Sequence, residues 1–148
     1  MTEKQKEILL KDISTRLPYG VKCAEVYPDG NKFENEWDII RISKYVEDGI
    51  HISNCKTIYG YCSPIENIKP YLFPLSSMTE EQFEEFLDIC GLCGYIDEVR
   101  QGDFFNREEN IGFTHIYGTM DWINRNHFDY RGLIDKGLAI DATNKNIY

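Results

Sequence analysis

The sequence contains no apolar run near the roughly 18 residues that a membrane helix needs, and no apolar stretch with a cleavage site near its start. We therefore expect a cytoplasmic protein without a membrane partner. Basic residues are also scarce, because 16 Lys and Arg stand against 25 Asp and Glu and the formal net charge is −9. Since so acidic a chain repels phosphate backbones, nucleic acid is excluded as the main ligand.

Short motifs of several enzyme classes are missing as well. There is no phosphate-binding glycine loop, zinc-protease helix motif, serine-hydrolase elbow or EF-hand loop. Whether the chain is an enzyme stays open, with a non-enzymatic role preferred. Five cysteines are an odd number in a chain without a secretory signal, which favours reduced thiols over a disulfide framework.

Helical and strand patterns follow one another in residues 1–75. Apolar residues recur at helical spacing behind Thr2, which predicts a capped helix over residues 2–16. Residues 21–62 then carry β-branched and aromatic clusters between Gly-rich turns, which is typical of short strands. A helical turn is predicted after Pro64. The expectation is an N-terminal helix with a small SH3-like β-barrel or antiparallel sheet.

Residues 76–148 are expected to form a helix-hairpin-helix-helix lobe. Thr79 and Gln82 have the spacing of a capping box, which predicts that the first of these helices begins there. The predicted hairpin strands cover residues 95–105 and 111–117, and the predicted N-caps of the two later helices are Thr119 and Asp129. The whole chain is therefore assigned to the α+β class, and its 148 residues suit one compact unit.

The segment His127–Gly132 holds the densest mixture of chemically active groups. His127, Asp129 and Arg131 supply an imidazole, a carboxylate and a guanidinium, which are groups that acid–base catalysis uses. The alternative is structural, because an N-cap Asp129 binds the backbone amides of Arg131 or Gly132 and leaves His127 in a link between two helices. The structural interpretation is preferred, and the three side chains are kept as catalytic candidates.

An aromatic series lies near the end of the first lobe. Tyr59, Tyr61, Tyr71 and Phe73 alternate with other residues and could form a ligand-stacking or peptide-binding surface. The three tyrosines, with Arg131, are candidates for a small-molecule or nucleotide pocket between the lobes. The alternative is that these rings pack inward as core, since alternating aromatic positions on a half-buried strand do so.

Two cysteines have the spacing of zinc ligands. Cys90 and Cys93 are separated as in many zinc sites, and Cys55 with Cys62 would complete a set of four. The second pair is spaced too widely for a standard site, and buried apolar thiols are the alternative. Neither a metal nor a cofactor is expected.

The helix predicted after Thr79 carries many acidic residues. They are Glu80, Glu81, Glu84, Glu85 and Asp88. Such a run is expected to form a solvated helix face that is also able to meet a basic partner.

Three segments have distinctive sequences. They are RLPYGVK (Arg16–Lys22), IENIKPYLFPLSSMTEEQFEEF (Ile65–Phe86) and DWINRNHFDYRGLIDKGLAIDA (Asp121–Ala142). Together they resemble an uncharacterised family of short proteins from gut-dwelling anaerobic bacteria and from their phages and mobile elements. The resemblance implies no activity, cofactor or active site. It implies a mobile-element setting, in which small acidic proteins often bind a host or phage component.

These observations lead to three functional hypotheses. The preferred one is an intracellular accessory protein that acts by binding a protein partner, with a homo-oligomer also compatible. The second is a binder of a small molecule or nucleotide in a pocket between the lobes. The third is a small enzyme in which His127 acts as base and Asp129 orients it.

Overall fold

The computed structural model describes residues 1–27, 32–45, 49–54, 61–91 and 113–148, which form an α+β fold. Helix α1 comprises Glu3–Arg16, and its start is fixed by a capping box in which Thr2 and Gln5 bond each other's backbone amides. Gly20, at φ +76°, ends the turn that follows the helix, a conformation that favours glycine. The helix predicted over residues 2–16 is thereby confirmed.

The described strands form one sheet. They are β1 (Val21–Val26), β2 (Lys32–Tyr45), β3 (Gly49–Asn54), β4 (Tyr61–Pro64), β5 (Ile68–Leu72) and β6 (Ile140–Asp141). Their order is β4-β3-β2-β1-β5-β6, and only the β5–β6 pairing among them is parallel. The antiparallel sheet expected in residues 1–75 is present. No pairing between described strands joins β4 to β6, so the SH3-like barrel stays a prediction.

The predicted helical turn after Pro64 is short. Ile65–Asn67 make one 3-10 turn, and Ile68 already begins strand β5. In the hairpin of β2 and β3, Tyr45 lies opposite Gly49. These local elements agree with the turn signals in the sequence because proline fixes φ and glycine permits turn conformations that other residues avoid.

Both faces of the central strands are covered. One face packs against α1 through Leu9 and Ile13, in a cluster that also contains Val21, Cys23, Ile39, Ile65, Ile68, Leu72, Leu133, Leu138 and Ala139. The other face packs against the C-terminal segment through Ala24, Tyr71, Ala142 and Ile147. The sheet therefore lies between a layer of α1 with residues 133–139 and a layer that contains Ala142 and Ile147.

Two further helices pack against each other. Helix α2 (Glu80–Cys90) begins at the predicted capping box of Thr79 and ends at Gly91, and helix α3 comprises Phe113–Arg125. The Phe86 and Trp122 rings lie 5.5 Å apart, whereas Cys90 Sγ lies 3.3 Å from Thr119 Oγ1. Because the later residue on α2, Cys90, contacts the earlier residue on α3, Thr119, the two helices run antiparallel.

Three sequence predictions are wrong in this half. Residues 113–117, predicted as part of a strand, are helical. Thr119 lies inside α3 rather than capping its start, and its hydroxyl contacts the Cys90 thiol. The helix predicted after Asp129 is a series of turns interrupted by the positive φ of Gly132 and Gly137. The other predicted hairpin strand, residues 95–105, lies outside the described residues.

The described chain divides into two compact units. The first combines residues 1–75 with 127–148, and the second comprises residues 76–126. The sequence had grouped residues 127–148 with the second lobe. Their backbone instead pairs with β5, where Tyr71 lies opposite Ile140, and this places them in the first unit.

Candidate functional site

The His127–Gly132 loop is joined to the sheet by backbone hydrogen bonds. The amide of Phe73 donates to the carbonyl of His127 at 3.0 Å, and the amide of Asp129 donates to the carbonyl of Phe73 at 2.8 Å. The Phe73 and Phe128 rings add a tilted aromatic contact at 6.2 Å. The two backbone hydrogen bonds therefore hold the loop in position, and the Phe73–Phe128 ring contact adds to them.

Asp129 has a structural use. Its carboxylate oxygens accept hydrogen bonds from the amides of Leu133, at 2.9 Å, and Ile134, at 2.8 Å. The sequence predicted this kind of bond but placed it on Arg131 or Gly132. The two bonds close the turn that contributes Leu133 to the core beneath the sheet.

His127 is buried in an unusual backbone conformation. Among the described residues, His127 is the non-glycine residue with a positive φ, at +58°. Histidine is several-fold enriched over most residues in this conformation. Its ring stacks on the ring of Tyr148, with centroids 3.8 Å apart and planes 11° apart. Burial, with a contribution from the positive charge of Arg16, lowers the pKa of His127 to about 4. The imidazole is therefore neutral at pH 7.

Tyr148 fixes the stacked pair to the sheet. Its hydroxyl donates to the carbonyl of Tyr71 at 2.9 Å and accepts from the amide of Lys22 at 3.2 Å. Burial of the phenol raises the pKa of Tyr148. The phenol thus stays protonated and ties the C-terminal residues to β1 and β5.

Beside this loop lies a cluster that we call the arginine cluster: Asp12, Arg16, Tyr130 and Arg131. Asp12 and Arg16 are both fully buried on α1, with Arg16 Nε at 2.8 Å from Asp12 Oδ2 and Nη2 at 3.1 Å from Oδ1. Arg16 Nη2 also donates to the carbonyl of Phe128 at 2.7 Å. These bonds join the last turn of α1 to the His127–Gly132 loop.

Arg131 and Tyr130 complete the arginine cluster. Arg131 Nε lies 3.3 Å from Asp12 Oδ1, the same carboxylate oxygen that Arg16 contacts. The guanidinium carbons of Arg131 and Arg16 lie 4.6 Å and 5.5 Å from the centroid of the Tyr130 ring. Such cation–π contacts are worth on the order of 1 kcal/mol each.

The geometry offers little to acid–base catalysis. A general base works best with a pKa near the operating pH, whereas the pKa of His127 is lowered to about 4. The carboxylate of Asp129 binds two backbone amides. His127 Nδ1 is buried and has no hydrogen-bond partner among the described residues, so no carboxylate there orients the imidazole.

The other candidate site residues are dispersed. Tyr71 is buried in the core on β5, while Tyr61 begins β4. Cys90 is a buried thiol beside Thr119, and burial raises its pKa. Tyr59 and Cys93 lie outside the described residues, as does Cys55. In the part of the chain that is described, no three His, Cys, Asp or Glu side chains are grouped to hold a metal ion.

The sequence interpretation did not identify the buried pair on α1. Leu9, Asp12, Ile13 and Arg16 are all buried and recur at steps of three and one, so they occupy one face of the helix. A charged pair at i, i+4 on the apolar face was the available signal. Because such pairs on helices are usually solvated, the spacing alone does not predict burial.

The second unit presents a different surface. On α2, Glu81, Glu84, Glu85 and Asp88 are exposed along one stripe at helical spacing. On α3, Tyr117 is 82% exposed, next to Gly118, whose backbone lies against Ile89 near the end of α2. An acidic stripe and a large exposed aromatic ring therefore belong to the same helix pair.

No protein-family model, curated protein or solved structure matches the chain. Among the residues that the structure describes, no helix has both the length and the apolar composition needed to cross a membrane.

Proposed function

We propose that this protein acts by binding a protein partner, and that the partner offers a Lys- or Arg-rich segment to the helix pair α2–α3. The observation that carries the proposal is the exposed acidic stripe of Glu81, Glu84, Glu85 and Asp88. Complementary charges steer association and select partners more than they set affinity. The net charge of −9 adds to the attraction of a basic partner.

Tyr117 supports the same proposal. Exposed aromatic residues are enriched at protein interfaces, and a tyrosine ring attracts lysine and arginine side chains through its π face. At 82% exposure the Tyr117 ring has most of its surface available to a partner. Acidic side chains would attract the basic segment, and the ring would contribute apolar contact area.

A reducing compartment, the cytoplasm, is part of this proposal. Cys23 and Cys90 are buried free thiols, and burial raises the pKa of Cys23 to about 12. Thiols in such surroundings are unreactive, which suits a protein that binds without redox chemistry. We also propose a mobile-element setting, because three segments of the chain resemble the uncharacterised family of short proteins described above.

The test measures binding of a fluorescent peptide of alternating lysine and alanine by anisotropy at low salt. The double variant Glu84→Gln with Glu85→Gln removes two charges from the stripe. We expect binding to weaken about two- to thirtyfold, because each of the two lost exposed pairs contributes roughly 0.2–1 kcal/mol. Tyr117→Ala is expected to weaken binding as well, through loss of the cation–π contact.

The matched control is Glu7→Gln with Asp135→Asn, which removes two exposed charges from the first unit. Both double variants change the net charge by the same amount. Their affinities for the peptide should therefore differ only if the peptide binds at α2. Equal weakening in the two variants would mean attraction to the whole molecule and would contradict the proposal. Sedimentation of the free protein shows whether a second copy occupies the surface instead.

A further inference from the structure

The arginine cluster of the first unit has no part in the function proposed above. It joins α1 to the His127–Gly132 loop, and its charges do not balance. Asp12 supplies one carboxylate, whereas Arg16 and Arg131 supply two guanidinium groups on the same oxygen.

Buried charge without compensation is unfavourable. Removing one member of a buried ion pair strongly destabilises a protein, because the remaining charge is left in a poor solvent. The nearest other carboxylate along the chain, that of Asp129, accepts bonds from Leu133 and Ile134. Among the described residues, Asp12 is the carboxylate that forms ion pairs with both guanidinium groups.

The same cluster contains donors with unused capacity. Arg16 Nη1 and the Tyr130 hydroxyl are buried, and neither has a hydrogen-bond partner among the described residues. Arg16 is fully buried, so Nη1 cannot turn to solvent. Buried polar groups in proteins are nearly always satisfied, and exceptions commonly mark an ion, a water or a functional site.

We propose that the arginine cluster is a binding site for a small oxyanion, a carboxylate or a phosphate group, held by Arg16 Nη1, the Arg131 guanidinium and the Tyr130 hydroxyl. These are all donors, and guanidinium groups match the planar geometry of oxyanions. Asp12 holds the two arginines in place. The side chain of Arg131 is 22% exposed and connects the cluster to solvent.

A bound water molecule is the competing explanation for the unused donors. Water satisfies hydrogen bonds but does not offset the second guanidinium charge. An oxyanion does both, and its binding makes the stability of the folded protein depend on its concentration. This dependence separates the two explanations.

The test measures the thermal unfolding midpoint of the full chain at pH 7 in increasing inorganic phosphate, and separately in acetate. Sodium chloride keeps the ionic strength constant. We expect the midpoint to rise with at least one oxyanion, and the stronger response to identify phosphate or carboxylate as the ligand class. A midpoint that responds to neither oxyanion would overturn the proposal.

Two substitutions examine the donors without removing Arg16. Arg131→Gln and Tyr130→Phe are each expected to weaken the apparent affinity for the oxyanion about tenfold, since each removes a hydrogen bond to a charged group. Tyr130→Phe also distinguishes binding from structure. In chloride alone it should leave stability unchanged or higher, because it removes a buried hydroxyl that has no partner.

Arg125→Gln is the matched control. Arg125 pairs with Asp121 at 2.8 Å and at the same i, i+4 spacing as Arg16 with Asp12, but this pair is exposed on α3. The control should bind the oxyanion like the unmodified protein. An equal loss of affinity in Arg125→Gln and Arg131→Gln would refute the site. The basic-peptide experiment concerns the second unit, so the proposed function and the oxyanion site can be contradicted independently of each other.

Discussion

At the scale of single residues, His127 combines a strained backbone with a buried ring, and its titration should appear in the stability of the protein. The folded pKa is about 4, against about 6.5 in an unfolded chain. The unfolded state therefore takes up this proton first as the pH falls. We expect His127 to reduce stability progressively from pH 6.5 down to 4, by roughly 3 kcal/mol at most.

Urea unfolding between pH 7 and 4 measures this dependence, with His127→Asn as the comparison. Asparagine tolerates a positive φ and does not titrate, so the variant keeps the backbone conformation and removes the titratable imidazole. Within the described part of the chain, the groups recorded against His127 are the Arg16 guanidinium and the stacked Tyr148, whose raised pKa keeps its phenol neutral. The variant should show a shallower decline; parallel curves would exclude His127 as the source.

At the scale of elements, the starts of α1 and α2 were predictable from sequence because short-range interactions determine them. Thr2 and Thr79 bond amides three residues away in their capping boxes. The strand predicted over residues 111–117 is wrong for residues 113–117, although aromatic and β-branched residues favour strands. Packing of α3 on α2 through Trp122 and Phe86 outweighs that local preference.

The candidate site was predicted less completely than the elements. Asp129 was identified as a group that binds backbone amides because its position in the local sequence favours that role. The partners of Arg131 were not identified, because Asp12 is far away in sequence and only the fold brings them together. Stacking of His127 on Tyr148 was missed for the same reason.

The turn after Asp129 is an element whose stability depends on one carboxylate. Asp129→Ala leaves the amides of Leu133 and Ile134 without their acceptor, so we expect a loss of about 2 kcal/mol in the free energy of unfolding. Chemical denaturation measures it. Asp135→Ala, at an exposed position of the same turn, should change stability by less than about 0.5 kcal/mol. Similar losses in both variants would show that the amide bonds contribute little.

At the scale of the whole molecule, the second unit is an insertion into the first. The chain leaves the first unit after Leu75 and returns at His127. The hydrogen bonds of Phe73 with His127 and Asp129 hold the exit and the return side by side. The apolar clusters on both faces of the sheet consist of residues from the first unit. These two clusters therefore contain no described residue from 76–126.

Replacing residues 76–126 by a Gly/Ser linker of about six residues should therefore leave a folded first unit. We expect cooperative thermal unfolding, because α1, the central strands and the C-terminal segment retain their packing. The shortened protein should keep the oxyanion dependence of the arginine cluster and lose binding of the basic peptide, since α2 and α3 are absent. A shortened chain that unfolds without cooperativity would show that the first unit depends on the insertion for its stability.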